Sequence, residues 1–533
     1  MKKIITLQFT LLVATILVGN NIQISNCALV EANAAENYVM VQFDLSWENS
    51  WRTTSAPYNF DAAWIFIKYK KTTDVDVQWG HATLGQDGNS IPSGFDFYIG
   101  ETDGINKGIF IYRDTDNTGS GTVSLTDIKL RWDYGEDGLP DNEEVDFNVF
   151  GIEMVFIPEG SFSVGDGTSN NVRGQLHRAN NESVPFPITS EGAITLGGTS
   201  YNNMGNNNTD GMWVVDDFNS TTTKTLDAGF PKGYRAFAIM KHSITQQAYV
   251  DFLNSISRNQ QNTRTTTDLS SPITNVSNRF VMSGGQIMVD RNGIRCDATI
   301  SANVPVTFYC DYNSNGIGGE NGDGQHIACN WINWADVSAF LDWAALRPIT
   351  ELEFEKACRG DQTPVADEYA WGNTQLDNVN YILANPGMAN EYISNPSTGN
   401  TGNALHIDSP ITPEGPARVG IFATGSSSRP NAGASYYGVM GLSGNVWKRV
   451  ISIGNQTGRN FTGQHGDGNL SSAGNSNQNY WPGTNAIGSG GRGGCYLYET
   501  ASLRVSSRTD AAHAYIERHG AVGGCGGRTI FDD

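Results

Sequence analysis

Clustered positive charge is missing from this sequence of 533 residues: Asp+Glu 55 stand against Lys+Arg 34, the formal charge is −21, and no Lys/Arg-rich run follows the first few residues. A nucleic-acid partner is excluded on that ground, because phosphate contacts need grouped cations. After the first twenty residues no apolar run reaches membrane-spanning length, so no transmembrane segment is expected. Signatures of metal and nucleophile chemistry are also missing. The 8 histidines and 7 cysteines form no C-x-x-C and no H-x-x-x-H, and no G-x-S-x-G elbow occurs. No fixed-period repeat is visible.

What is present begins with an address. Lys2 and Lys3 precede an uncharged apolar run from Ile4 to Val18, the pattern of a secretory signal. The run ends at Gly19, and Ala32-Asn33-Ala34 offers a later cleavage site, so the protein is expected to be secreted or held at the cell surface. Cleavage after Ala34 leaves six of the cysteines, an even number compatible with disulfides in an exported protein. Cys495 and Cys525, both in the Gly-rich C-terminal segment, are the candidate pair, while Cys358 reads as a buried small hydrophobe.

Residues 20–150 alternate with period two, as in Val39, Val41, Phe43, Leu45 and Trp47. Seven or eight short runs of this kind, parted by turn clusters, predict an all-β sandwich. A second unit is expected over 151–533, opening on Met154-Val-Phe-Ile-Pro158, with a long surface-loop insertion at about 166–230. Three helices are expected: one capped by Thr245, one near Trp334 to Leu346, and one opened by a Thr350/Glu353 capping box and stopped at Gly360. Asp311, Asn313 and Asn315, completed by Glu320, place calcium-type oxygen ligands on one tight turn, as do Asp133 and Asp137 in a second loop. The tract from Asn455 to Asn485, with Tyr480, Trp481 and Tyr498 nearby, offers aromatics that could stack on a sugar or peptide.

Several blocks then resemble, in order, the formylglycine-generating enzyme (sulfatase-modifying factor) family. They are Met154 to Phe162, Phe237 to Tyr249, Arg347-Pro-Ile-Thr-Glu-Leu-Glu-Phe-Glu-Lys-Ala-Cys-Arg-Gly360, Tyr369-Ala-Trp-Gly372, Gly438 to Trp447, and Arg492-Gly-Gly494 with Arg508 and Arg528. The resemblance implies a variant of the C-type lectin fold, giving an α+β C-terminal domain preceded by the sandwich. It also implies an oxidase that binds copper(I) through two cysteines just after the Arg-Gly-Gly block. Here that segment, Tyr496 to Arg508, has no cysteine; Tyr498 and Ser502 stand near the thiol positions and Cys495 comes too early. Copper is therefore not expected, since a soft cuprous ion needs the thiolate pair. The family's calcium turn, Gly-Asn-x-Trp-Glu-Trp, keeps Asn445 and Trp447 but carries Lys448 at the Glu position.

The sequence thus favours binding over catalysis. The expected activity is recognition of an extracellular glycan or protein by Trp481, Tyr496, Tyr498 and Arg508, with calcium as the cofactor. Two alternatives are an oxidase with an atypical metal site and a structural envelope component.

Overall fold

The computed structural model describes residues 22–167, 172–207 and 211–530, so the apolar leader lies outside the described residues. The chain is mostly strands, with few helices. Eight strands come first: β1 (Gln23–Asn33), β2 (Tyr38–Arg52), β3 (Asp61–Lys71), β4 (Gly80–His81), β5 (Phe95–Thr102), β6 (Ile105–Arg113), β7 (Asn117–Trp132) and β8 (Val145–Ile157). β1, β2 and β7 make a three-stranded antiparallel sheet. Since β1 is paired throughout with β2, cleavage after Ala34 would remove a whole strand of that sheet.

The remaining strands join a seven-stranded sheet that crosses the boundary expected at 150/151. β8 pairs with β3 from Val145 to Val155, and its last residues, Met154 to Ile157, pair with the strand Phe237–Met240. Gly527–Thr529 then closes the edge beside Phe237–Met240. The boundary therefore falls inside one continuous strand.

Both faces of this sheet are buried, and the pleat explains how one strand serves two cores. Ala63, Ile65 and Ile67 of β3, with Ile109 and Ile111 of β6, pack on Val41, Phe43, Leu45 and Trp47 of the first sheet. The alternate residues Ala62, Trp64 and Phe66, with Phe110 and Tyr112, face the larger core. That core also receives helices α1 (Gln246–Leu253), α3 (Trp334–Trp343) and α4 (Glu351–Arg359), while α2 (Arg258–Arg264) follows α1. The caps are local. Thr245 accepts from the Ala248 N–H at the start of α1, and Thr350 and Glu353 close a reciprocal capping box on α4.

Trp64 is one of the contacts between the halves, and it needs glycine beneath it. A Cβ on Gly108 would lie 2.5 Å from its ring, and one on the cross-strand partner Gly100 would lie 2.6 Å away. Nearby, Lys241 is buried with Glu153 at 2.9 Å and Asp61 at 3.5 Å. Asp61 also accepts from Trp47 Nε1 and Ser50 Oγ, which ties β2, β3, β8 and Phe237–Met240 to one polar knot.

Two sequence expectations change here. The segment at 166–230 is not only surface loop: within its described residues Leu176–Arg178, Met204–Asn206, Ile194–Leu196 and Lys224–Leu226 form a four-stranded sheet. Leu176, Leu196, Met204, Phe218 and Leu226 are buried in the main core. Strands of three residues are too short to print a period on the sequence. The Asn455 to Asn485 tract is likewise largely packed rather than displayed. Lys68 and Thr102 donate to the carbonyls of Gly468 and Gly466, and Asp342 of α3 accepts from Asp467 N, Ser476 Oγ and Asn477 N.

Candidate functional site

The hairpin formed by Lys448–Ile451 and Ser489–Arg492 organises the region where the two cysteines were sought. Its glycines are required by close backbone approach, for a Cβ on Gly490 would lie 1.8 Å from the Ala511 carbonyl oxygen. Below the hairpin, Arg492 bonds Glu351 at 2.9 Å and Glu355 at 2.7 Å, and Glu351 also receives Arg508 at 2.6 Å. Arg508 in turn bonds Asp216 at 2.6 Å, and Arg359 joins Glu355 to Glu368. These charges are buried and satisfied by one another, so they serve as the rigid base of the site.

Alternation along the strand splits its side chains between two environments. Lys448 and Val450 point inward. The Lys448 ammonium donates to the Gly444 carbonyl at 2.6 Å, lies near the thiols of Cys525, Cys495 and Cys358, and is pushed down to about 8 by burial. Trp447 and Arg449 point the other way. Arg449 stacks over Tyr515 at 5.1 Å and lies over Trp334 at 6.0 Å, with one N–H to Ser489 Oγ. Trp447 meets Tyr498 edge to face at 5.2 Å, and Tyr498 and Tyr515 lie close enough to act on each other electrostatically.

From Tyr515 the aromatic contacts continue outward. The His513 ring lies 4.1 Å from Tyr515, with its Nδ1 at 3.4 Å from the buried Asp510 carboxylate. Trp213 stacks on His513 at 6.4 Å and is 64% exposed. Trp213 is anchored through its backbone N–H to the Thr509 carbonyl. Trp213, His513, Tyr515, Tyr498 and Trp447 thus form a continuous shelf that runs from solvent to the buried hairpin.

Of the residues singled out in the sequence, Tyr498 belongs to this shelf and the others do not. Trp481 is 7% exposed, with its indole N–H on the Gln464 carbonyl, because the tract that carries it is docked on α3 and the first half of the chain. Tyr496 is buried with Tyr381, Leu405 and Ile411. Arg508 is fully buried in the ion-pair base, so it cannot touch a ligand on the surface. Cys495 and Cys525 are both free. Cys495 packs with Trp447 and Ala521 and Cys525 with the main core, and both thiols lie near the Lys448 ammonium. Burial pushes both thiols up to about 12.

The side chains of the calcium candidates are engaged with their own surroundings. Asp311 is paired with Arg295 and also accepts the Gly316 N–H. Asn313 and Asn315 donate their amides to Asp323 and Glu320 and use their oxygens on the N–H groups of Asn315 and Ile317. In the other loop Asp137 is taken by Thr83 and Trp132, and Asp133 by Arg131. Asn445 spends its amide on both backbone groups of Ala417, far along the chain from the Asp311 turn, and the adjacent Lys448 already supplies positive charge. Among the described residues no group of three His, Cys, Asp or Glu side chains could hold a metal ion.

Sequence reading missed Trp213, Tyr515 and Arg449, and set His513 aside as an isolated histidine with a surface or satisfied role. Two signals were available: Trp213-Val-Val215 is an apolar run in a polar tract, and Arg449 occupies the second Trp of the Gly-Asn-x-Trp-Glu-Trp pattern.

Among the described residues no helix is long and apolar enough to cross a membrane. No curated protein matches the chain. The model of one family, described as the sulfatase-modifying factor enzyme 1-like domain, matches residues 146–521, from the start of β8 to just beyond the shelf. By that match over more than half of its length, and by the hairpin, α4 and ion-pair base that its motifs build, the chain belongs to the formylglycine-generating enzyme (sulfatase-modifying factor) family.

Proposed function

We propose that this protein is an exported or surface-held binding protein whose family domain recognises a glycan or protein ligand without turning it over. The observation that carries this reading is the aromatic shelf. It gives a ligand a partly exposed stacking surface built on rigid elements, and aromatic anchors of this kind carry much of the energy of recognition. The residue types at the resembled reaction centre support the same reading, since Tyr498 and Ser502 stand where thiols are needed. Export is supported by the Lys2-Lys3 head and the apolar run behind it.

The test is an array of glycans and of extracellular proteins probed with the full chain, repeated with Trp213→Ala and Tyr498→Ala. Specific capture that both substitutions weaken is the expected result, and an array on which nothing is captured overturns the reading. Two other outcomes favour its rivals. Stoichiometric copper or iron with oxygen uptake lost on Cys495→Ser points to an oxidase, and ligand-free self-assembly points to an envelope component.

A further inference from the structure

Buried on the inner end of the shelf are three nitrogen donors for which the chain supplies no acceptor. Arg449 is fully buried, yet its Nε and Nη1 have no hydrogen-bond partner; Trp447 is 1% exposed, and its Nε1 has none either. Buried donors are nearly always satisfied, so an unfilled group on one strand face is a feature to explain. The two residues are neighbours on the outward side of Lys448–Ile451, under the rings of Tyr515 and Tyr498. Those rings are half-buried and cover the donors.

We propose that Arg449 and Trp447 form a subsite for a hydroxyl group of an uncharged glycan, seated when the Tyr498 and Tyr515 side chains part to admit it. The inference deepens the binding reading and rests on it. A hydroxyl suits the site because it accepts from Arg449 and Trp447 while donating to a tyrosine oxygen or to Asp510. The charge balance selects against an acidic sugar. Asp510 lies close enough to Arg449 to act on it electrostatically and is itself held by His513, so the guanidinium is already opposed by a carboxylate. A ligand carboxylate would gain Arg449 and meet Asp510. Outside the subsite, the exposed ring of Trp213 offers a face on which a sugar ring can stack.

The test uses the full chain and isothermal titration with cellohexaose, mannohexaose, maltohexaose and, as the charged comparator, hexagalacturonate. One of the uncharged sugars is expected to bind. Trp447→Phe removes one donor that bonds nothing in the free protein together with part of a buried ring, so it should lower the unfolding temperature without unfolding the protein and weaken that sugar about tenfold, the weight of one hydrogen bond. Trp213→Ala should weaken it through the shelf. Wild-type affinity in Trp447→Phe, with Trp213→Ala still impaired, overturns the subsite and leaves the shelf standing. Tighter binding of hexagalacturonate, or no binding of any of the four while the arrays capture a protein, overturns the uncharged-glycan assignment. Silence on both the sugars and the arrays is failure of the binding reading itself.

Discussion

Trp64 donates its indole N–H to the carbonyl of Ala344 at 2.9 Å, so β3 in the first part of the chain is bonded directly to the C-cap of α3. Arg528 lies over the same ring at 4.9 Å. The first and last thirds of the sequence are therefore joined through one side chain, and the outcomes below test that arrangement and the site built on it.

Gly108→Ala should destabilise the protein by roughly 1–3 kcal/mol, the usual cost of overpacking. The new methyl would meet the Trp64 ring at 2.5 Å and the Ile65 carbonyl oxygen at 2.8 Å, with no flexible side-chain end to give way. Thermal unfolding measures the loss, and an unchanged midpoint would mean that Trp64 is not seated as described.

Expression of residues 146–533 alone should give aggregated or molten material. The truncation strips β3 from β8 and exposes the apolar surface that Trp64, Phe66 and Phe110 cover. Circular dichroism and cooperative melting decide the matter, and a fragment that melts sharply would show that the family domain stands without the first sheet.

Arg508→Met should cost about 3–5 kcal/mol, because it leaves Asp216 and Glu351 buried with one fewer counter-charge. Denaturant unfolding checks it. A companion Asp216→Asn change in the same background should recover part of the loss, since it removes the stranded charge.

Lys448→Met should stabilise the protein at pH 7 and flatten its stability above pH 8. In the folded chain burial lowers this ammonium to about 8, from an ordinary value of 10.5. Between those values the unfolded chain binds more protons, so stability rises with pH across that window, and below it the cost is present in full. The gap corresponds to a cost on the order of 3 kcal/mol. Lys356, also lowered to about 8, contributes a parallel rise, so the comparison of variant with wild type is what isolates Lys448.

Millimolar calcium should leave the unfolding temperature unchanged, since Asp311, Asn313, Asn315 and Glu320 are engaged with their own loop and with Arg295. A rise of several degrees that EDTA reverses would show that the loop reorganises around the ion.

The parts of the fold legible in the sequence are those set by neighbours in the chain. Thr350 and Glu353 are three residues apart and cap α4 on their own terms, and the Arg347 to Gly360 block announces the family by local order. What remained hidden depends on distant pairing. The uninterrupted apolar run Ala62 to Ile67 carries the mark of a strand covered on both faces, but nothing in it says which residues lie on either side. Cys495 and Cys525 share a glycine-rich segment, yet they pack in distinct surroundings. Trp481 and Trp213 both sit in polar tracts; one is folded inward and the other outward, and only the docking of each tract decides which.

The closing of the large sheet by Gly527–Thr529 fixes an order of events during synthesis. A ribosome makes Arg528 long after Trp64, so the early strands wait with one edge open and one aromatic side uncovered until the Gly527–Thr529 strand has been made. During that delay the nascent protein offers hydrogen-bonding edges and greasy surface to whatever is nearby, which makes the interval before the final strand arrives the stage at which a holding chaperone matters most.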